Sequence, residues 1–155
     1  MREDWRKEKF RIFGKEIWAP RSLAWYGCSG LNYRYTGIDH IASGWPEFMY
    51  TLRELVADTA EIEFNFVLVN RYENGREYMG WHRDNEKGSK PLIASLSLGA
   101  HRKFVIESEQ ARHTQILEHG SLAVFDGTQR HQLPKTKGSD DVRLNLTFRQ
   151  LAPCD

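Results

Sequence analysis

The second half of the chain consists of short segments in which apolar and polar residues alternate, and glycines separate them. These segments lie at residues 63–72, 92–98, 103–107, 121–125 and 142–151. Alternation with a period of two is typical of β-strands, and many short strands at regular spacing are typical of sandwiches and barrels. The pattern therefore predicts a double-stranded β-helix, or jelly roll, whose two facing sheets leave a mouth where a ligand can bind.

One helix is expected ahead of these strands. Within residues 46–60, Phe48, Leu52, Leu55 and Val56 recur at i, i+4, i+7 and i+8, which is one stripe of a 3.6-residue period. Pro46 and an acid at position 47 suit the start of a helix. The fold class predicted is mainly β with an N-terminal helix and a jelly-roll core.

Length and composition exclude several classes. The 155 residues fit one domain, 1–155, and no apolar run approaches the roughly 20 residues that a membrane helix needs. The N-terminus has no apolar stretch of a secretory signal, and Cys28 and Cys154 do not make a disulfide framework. Net charge is +1, but residues 1–21 hold seven Lys/Arg and residues 130–149 hold five. This distribution permits contact with phosphates without requiring it, since a solvated surface has the same pattern.

A His-x-Asp pair, His82 and Asp84, is the first candidate metal site. On an extended strand, side chains two apart point the same way, so the two would converge on one point. His131 is the best candidate for a third ligand. Two histidines and a carboxylate on one face of a metal suit non-haem Fe(II), although zinc accepts the same ligands and a bland surface pair has the same spacing. The other four histidines are interpreted as surface or structural residues: His40, His101, His113 and His119.

The last segment carries polar side chains at alternate positions, namely Arg143, Asn145, Thr147 and Arg149. Two buried guanidinium groups are costly unless anions neutralise them, and a dicarboxylate offers two groups that pair well with arginine. Asn70 and Tyr72 add an amide and a hydroxyl at the end of the first segment. The alternative is an edge strand with a solvated polar face.

These residues resemble the AlkB family of Fe(II)- and 2-oxoglutarate-dependent dioxygenases, over nearly the whole chain. The matching stretches are NRY at 70–72, HRD at 82–84, PLIASLSLG at 91–99, HGSL at 119–122, HQLP at 131–134 and RLNLTFR at 143–149. Residues 10–37, with IFGK and LNYRYTG, resemble the subgroup of the human homologue that repairs double-stranded DNA. The resemblance divides the domain into a nucleotide-recognition extension with the helix, 1–61, and a catalytic core, 62–155.

The resemblance implies roles for individual residues. His82, Asp84 and His131 would ligate Fe(II), and with Arg149 they form the catalytic set. The residues expected to hold 2-oxoglutarate are Asn70, Tyr72, Arg143, Asn145 and Arg149.

A further set is expected to contact the nucleic acid. Phe13 would be a finger that fills the space left by a flipped base, although by pattern alone it is a core residue of an N-terminal hairpin. Tyr33 and Tyr35 would line the pocket for the damaged base, with Glu86 near its polar edge, although strand packing is the ordinary role of such tyrosines. The residues expected to contact the DNA itself are Arg21, Lys135 and Lys137.

The chain departs from the family before His131, where the segment after Thr128-Gln129 is three residues shorter than usual. This puts the choice of the third ligand in question. His131 is retained because its separations of 12 and 18 residues from Arg143 and Arg149 match the DNA-repair subgroup. The acid that often follows the ligand Asp is Asn85 here, and the basic stretch after 131–134 is thinner.

The expected activity is oxidative dealkylation of N-alkylated bases such as 1-methyladenine and 3-methylcytosine in DNA, with O2 and 2-oxoglutarate consumed, formaldehyde and succinate released, and ascorbate as reductant. Duplex DNA is the expected partner, and RNA or a single strand is the alternative. A catalytically idle binding module and a zinc hydrolase are rival readings. We expect a monomer without a membrane partner that is not secreted, in the nucleus of a eukaryote or the cytoplasm of a bacterium.

Overall fold

The computed structural model describes residues 5–152, whose strands form a five-stranded sheet, a four-stranded sheet and two hairpins. The helix of these residues, α1, spans Glu47–Ala60. The strands are, in chain order, β1 (Lys9–Ile12), β2 (Lys15–Trp18), β3 (Ser22–Gly27), β4 (Asn32–Tyr35), β5 (Ile38–Ile41), β6 (Phe66–Tyr72), β7 (Met79–His82), β8 (Leu92–Gly99), β9 (Arg102–Glu107), β10 (Arg112–Leu117), β11 (Leu122–Asp126), β12 (His131–Leu133) and β13 (Arg143–Arg149). The prediction of a mainly β fold with a helix ahead of a jelly-roll core is confirmed.

Strand β13 is at the centre of the five-stranded sheet, whose order is β11-β8-β13-β6-β3. It pairs with β6 so that Arg143 lies opposite Tyr72 and Arg149 opposite Phe66. The predicted alternation holds. Leu146 and Phe148 belong to the apolar cluster beneath α1, and the polar residues between them line a cavity.

The four-stranded sheet has the order β10-β9-β12-β7, and it supplies the other wall of this cavity. Strands β7, β10 and β12 were missed by the sequence prediction. β10 is exposed at five of its six residues, so no apolar alternation marks it. β7 and β12 are four and three residues long, which is too short for a period to appear.

The helix packs on the five-stranded sheet by a face that includes Leu52 and Val56 of the predicted stripe but not its other two residues. Its buried residues are Met49, Val56 and Ala57, whereas Phe48 is 42% exposed and Leu55 is 62% exposed. The predicted stripe is therefore wrong at Phe48 and Leu55. α1 carries apolar residues on two neighbouring faces, and the pattern alone could not tell which one meets the sheet. No helix among residues 5–152 is long and apolar enough to cross a membrane.

The segment predicted as an N-terminal extension contributes directly to the main sheet. β3 pairs with β6 along its whole length, from Ser22 opposite Arg71 to Gly27 opposite Phe66. Gly27 is required there, because a Cβ would come within 2.8 Å of the Asn65 carbonyl oxygen. Phe64 was predicted to share a face with Phe66, but it precedes β6 and packs with the cluster under the helix.

The two faces of α1 give a stability test. Met49→Ala removes a fully buried side chain from the cluster, so we expect the free energy of unfolding to fall by about 3 kcal/mol. Leu55→Ala removes an exposed side chain from the same helix, and we expect a change within about 0.5 kcal/mol. Urea unfolding followed by circular dichroism measures both. Equal losses in the two variants would contradict the observed orientation of the helix.

Candidate active site

Three side chains from separate segments converge at one end of the cavity. His82 is the last residue of β7, Asp84 lies in the loop after it, and His131 is the first residue of β12. His82 and His131 lie opposite each other in the paired strands. Each of the three residues offers one ligand atom, an imidazole nitrogen or a carboxylate oxygen, and these three atoms all lie within 4.8 Å of one another. The pair was predicted on one extended strand, but β7 ends at His82, so the loop delivers Asp84.

Backbone carbonyls fix the orientation of both imidazoles. Nδ1 of His82 lies 2.7 Å from the Gly80 oxygen, and Nδ1 of His131 lies 2.7 Å from the Gln129 oxygen. With Nδ1–H donated to a carbonyl, each Nε2 is left as the metal-binding atom. These Nε2 atoms lie 3.7 Å and 3.3 Å from the two carboxylate oxygens of Asp84. The short segment before His131 therefore does not displace it from the other two residues.

Asp84 is buried but remains a strong acid. Burial raises the pKa of its carboxyl, but the charge of Arg149 and the hydrogen bond to His131 outweigh burial and hold this pKa well below its usual range. Burial lowers the pKa of His82, so this ring resists protonation. The site thus presents a carboxylate and a neutral imidazole at neutral pH, which are the forms that bind a metal. Gly127 packs against Asp84, where a Cβ would lie 3.1 Å from the Asp84 Cβ.

Arg149 connects the three converging residues His82, Asp84 and His131, called the metal cluster below, to the tyrosine hairpin β4–β5. Its Nη2 lies 3.4 Å from Oδ2 of Asp84, and its guanidinium carbon lies 4.7 Å from the centre of the Tyr33 ring. Its Nε and Nη1 are buried and have no hydrogen-bond partner in the protein. Arg149 therefore has unused donors beside the three converging residues.

Arg143 is at the opposite end of the same strand. It donates from Nη2 to the Ser97 hydroxyl at 2.7 Å, lies 5.9 Å from the Tyr72 ring centre, and has a buried Nε without a partner. Burial lowers the pKa of Arg143 to about 10, so the group stays charged at neutral pH. The two arginines lie at the two ends of this seven-residue strand, and Arg149 is the one beside Asp84.

The predicted cofactor residues line one cavity between these ends. Of the five, Asn145 donates to the Ser95 hydroxyl, and Asn70 accepts a hydrogen bond from Arg21 at 2.8 Å through its carbonyl oxygen. The Asn70 amide NH2 is thus left as a donor. The five predicted residues on the cavity wall are Asn70, Tyr72, Arg143, Asn145 and Arg149.

The residues present fit an Fe(II) ion and a dicarboxylate. Two imidazoles and one carboxylate are the donor set of non-haem iron oxygenases. Buried arginine N–H groups without partners, at Arg143 and Arg149, call for an anion at each end of the cavity. A dicarboxylate with one carboxylate beside Arg149 and the other beside Arg143 would satisfy both arginines, and a divalent cation would bind the three converging ligands.

The tyrosine hairpin meets this cavity through one of its two rings. Tyr33 and Tyr35 stack with ring centres 5.8 Å apart, but Tyr35 lines the cavity whereas Tyr33 does not. Tyr33 is 1% exposed and its hydroxyl donates to Glu86 at 3.1 Å. Burial raises the pKa of Tyr35 to about 12, and burial also raises the pKa of the Glu86 carboxyl. The structure thus places Tyr35 in the cavity wall, with Tyr33 and Glu86 behind it.

The structure buries Arg21, which was predicted to contact the DNA. Arg21 is 2% exposed, and its guanidinium donates to Asn70 and to the Tyr35 hydroxyl, the latter at 3.0 Å. Because both donors are used inside the protein, Arg21 connects β6 to the tyrosine hairpin. Sequence reasoning assigned it from a neighbouring motif, which gives no information on burial.

Phe13 and the two lysines lie on the surface. Phe13 is 100% exposed at the tip of the β1–β2 hairpin, so the alternative that it is a core residue is wrong. Phe13 and Gly14 have φ angles of 49° and 75°, and two residues with positive φ form the tight turn that suits a two-residue hairpin loop. Lys135 and Lys137 are exposed in the loop after β12, where Nζ of Lys135 lies 4.8 Å from the Tyr78 ring centre.

Sequence reasoning missed several residues of the cavity. Ser95 is in its wall, and Ser97 binds Arg143, and their alternation with leucines in β8 was a signal that could have found them. Arg102, at the start of β9, is fully buried next to Tyr72, and no pattern in its segment marked it. The other missed lining residues are mostly apolar and come from several strands: Leu68, Met79, Phe104, Leu117, Phe125, Gln132 and Leu133.

Comparisons with known proteins agree with this geometry. Residues 2–149 match the family model described as the 2OG-Fe(II) oxygenase superfamily. The chain is similar to the DNA oxidative demethylase ALKBH2 of Mus musculus (35% identical over 94% of this chain and 67% of the relative) and of Homo sapiens (35%, 92% and 61%). It is also similar to the alpha-ketoglutarate-dependent dioxygenase alkB homolog 3 of Homo sapiens (34%, 86% and 52%). The chain thus spans about half to two thirds of the length of these relatives.

The metal cluster can be tested by binding alone. We expect His131→Ala to weaken Mn(II) binding by more than about 100-fold, because loss of even an outer partner of a ligand costs about 10- to 100-fold. His113→Ala removes an exposed histidine of β10 and should leave the affinity unchanged. Isothermal titration calorimetry gives both affinities. Mn(II) binding by His131→Ala with the affinity of the unmutated protein would rule His131 out as a ligand.

Proposed function

Because the chain belongs to the 2OG-Fe(II) oxygenase superfamily, and within it to the AlkB family of Fe(II)- and 2-oxoglutarate-dependent dioxygenases, we propose that it removes alkyl groups oxidatively from damaged bases in DNA. The observation that carries the proposal is the convergence of His82, Asp84 and His131 at one end of a cavity, with the buried guanidinium of Arg143 at the other. A binding module without activity would have no use for this arrangement. A zinc hydrolase would need the three ligands but no distant arginine.

In this proposal, His82, Asp84 and His131 hold Fe(II), and Arg143 binds the far carboxylate of 2-oxoglutarate. When bound, iron and 2-oxoglutarate supply an O2-dependent oxidation of the alkyl carbon, with succinate, CO2 and, from an N-methyl group, formaldehyde as products. Arg149 keeps Asp84 ionised and in place through their contact of 3.4 Å. Asn70, Asn145 and Tyr72 would orient the co-substrate between the two ends.

The damaged base would enter beside Tyr35. A base stacked in a helix cannot reach a buried iron, so it must be extruded, which costs a few kcal/mol and less for a lesion that pairs poorly. 1-Methyladenine and 3-methylcytosine carry a positive charge, which an aromatic face and a nearby carboxylate both favour. Tyr35 provides the face. Glu86, held by the Tyr33 hydroxyl, provides the carboxylate.

Duplex DNA is the substrate that the surface favours. The fully exposed Phe13 stands on a narrow hairpin whose strands also carry Lys9, Arg11 and Lys15. Apolar wedges of this kind fill the gap in a base stack, and cations beside them can contact the phosphates. Lys135 and Lys137 would contribute from the loop after β12. A single-stranded or RNA substrate is the second candidate, since relatives named alkB homolog 3 are nearly as similar to the chain as those named ALKBH2.

Formaldehyde release tests the chemistry. With Fe(II), 2-oxoglutarate and ascorbate, we expect the protein to release formaldehyde from an oligonucleotide with one 1-methyladenine, and one succinate to form with each formaldehyde. Asp84→Ala removes a metal ligand and should lower the rate by at least about 1000-fold, which corresponds to about 4 kcal/mol of barrier. The readouts are a coupled formaldehyde assay and mass spectrometry of the base. Substantial release by Asp84→Ala would refute the metal assignment.

A matched pair on the hairpin tests the duplex preference. Phe13→Ala should slow repair of methylated duplex DNA by about tenfold, because the space left by the flipped base is then unfilled. The same variant should repair a methylated single strand at the unmutated rate. Ile17→Ala removes another exposed apolar side chain of the hairpin, away from its tip, and should change neither rate. If Phe13→Ala affects both substrates equally, Phe13 has no role specific to the duplex.

A further inference from the structure

Arg102 is a buried cation for which the proposed function has no role. It is the first residue of β9 and is 2% exposed. Its Nη2 donates to the backbone oxygens of Glu77 and Pro134, both at 2.8 Å, and its Nε is buried without a partner. Its guanidinium carbon lies 5.4 Å from the centre of the Tyr72 ring. A guanidinium in such a position is costly to bury, so its presence requires an explanation.

The Tyr72 ring contacts two guanidinium groups, one of which is that of Arg102. Arg143 is the other, at 5.9 Å from the ring centre, and it is 1% exposed. Among residues 5–152, no carboxylate lies within 4.0 Å of either arginine. Glu77, whose charge acts on Arg102 from further away, is already bound by Lys7 at 2.9 Å. The end of the cavity beyond Tyr72 therefore holds two positive charges without a matching negative group.

The two arginines lie at different positions relative to the cavity. Arg143 and Tyr72 line the cavity itself, whereas Arg102 contacts the Tyr72 ring without lining the cavity and lines a surface groove instead. Arg102 does not line the cavity, so it would act through Tyr72 and through its field. At the effective dielectric of buried sites, the charge of Arg102 would change the affinity for a bound anion by about a factor of ten.

We propose that Arg102 is a positioning residue and second cation of the cofactor site, which braces Tyr72 and selects a keto acid whose far end is a carboxylate. The inference rests on the proposed function, because it takes 2-oxoglutarate as the occupant of the cavity. It adds a residue to the site and assigns the selectivity for a dianion to two arginines instead of one. Burial lowers the pKa of both guanidinium groups, and that of Arg143 falls to about 10, so Arg143 stays charged at neutral pH. A bound dianion would offset the cost of burying both groups.

The surface groove suggests a different role for Arg102. The groove is also lined by the cations Lys103, Lys135 and Lys137, and it could take a phosphate of a nucleic acid. One of the two carbonyls that Arg102 binds belongs to Pro134, which also lines the groove. This reading predicts that loss of Arg102 weakens DNA binding and leaves the binding of keto acids unchanged.

The test compares two keto acids of equal length in the presence of Mn(II), without turnover. 2-Oxoglutarate ends in a carboxylate and 2-oxovalerate ends in a methyl group, so their affinity ratio reports the charge at the far end. Arg102→Gln removes the charge but keeps an amide donor for the two carbonyls, and Arg102→Lys keeps the charge but loses the planar fork. Lys103→Met removes an exposed cation one residue further along the same strand and groove. Calorimetry gives the affinities, and thermal melting without ligand confirms that each variant is folded.

We expect Arg102→Gln to weaken 2-oxoglutarate about tenfold and to leave 2-oxovalerate within about twofold of the unmutated protein. Arg102→Lys should keep most of the preference, and Lys103→Met should keep all of it. Equal weakening of both keto acids by Arg102→Gln, unchanged affinities with weaker DNA binding, or an equal effect of Lys103→Met would each overturn the inference. If Arg102→Gln does not fold, Arg102→Met is the second charge-removing variant. A protein that shows no preference for 2-oxoglutarate even when unmutated would instead contradict the proposed function.

Discussion

Strand β13 is the constraint on which the rest of the structure depends. One of its faces supplies Leu146 and Phe148 to the apolar cluster under α1, and the other supplies the two arginines, an asparagine and a threonine to the cavity. A shift of register by one residue would place guanidinium groups in the hydrophobic cluster and leucines in the cavity, so neither face tolerates it. The same strand that centres the five-stranded sheet thereby sets the distance between the metal cluster and the far cation.

Charge is balanced at one end of the cavity and unbalanced at the other. Near β7, the carboxylate of Asp84 is shared by Arg149, His131 and His82, so its negative charge is compensated, while Nε and Nη1 of Arg149 remain without a partner. Beyond Tyr72, the buried positive groups lack an anion. Under the proposed function, this asymmetry would favour one orientation of a keto diacid, with its charged tail toward Arg143 and its keto end toward the three ligands. Electrostatics as well as shape would then set the orientation of the co-substrate.

How much the sequence could predict follows from what each residue depends on. His82, Asp84, His131, Arg143 and Arg149 were found because spacing and the RLNLTFR stretch encode them locally. Phe48 and Leu55 were wrongly assigned to the buried face because they fit the helical period together with Val56, and only the position of the sheet shows that Met49 is buried instead. Arg21 was assigned to the surface and Arg102 was missed, because burial of a cation arises from contacts between distant segments, which no local pattern records.

The turn at Phe13 shows that this protein gives up folding stability at its surface. A phenylalanine there is fully exposed and also has a left-handed backbone, which costs roughly 1 kcal/mol for a residue other than glycine, asparagine or aspartate. An asparagine before Gly14 would make the commonest turn of this type at no such cost. Selection for a more stable hairpin would therefore remove the aromatic ring. Thermostabilised versions of this chain that mutate position 13 are expected to gain rigidity and to lose the DNA recognition proposed for Phe13.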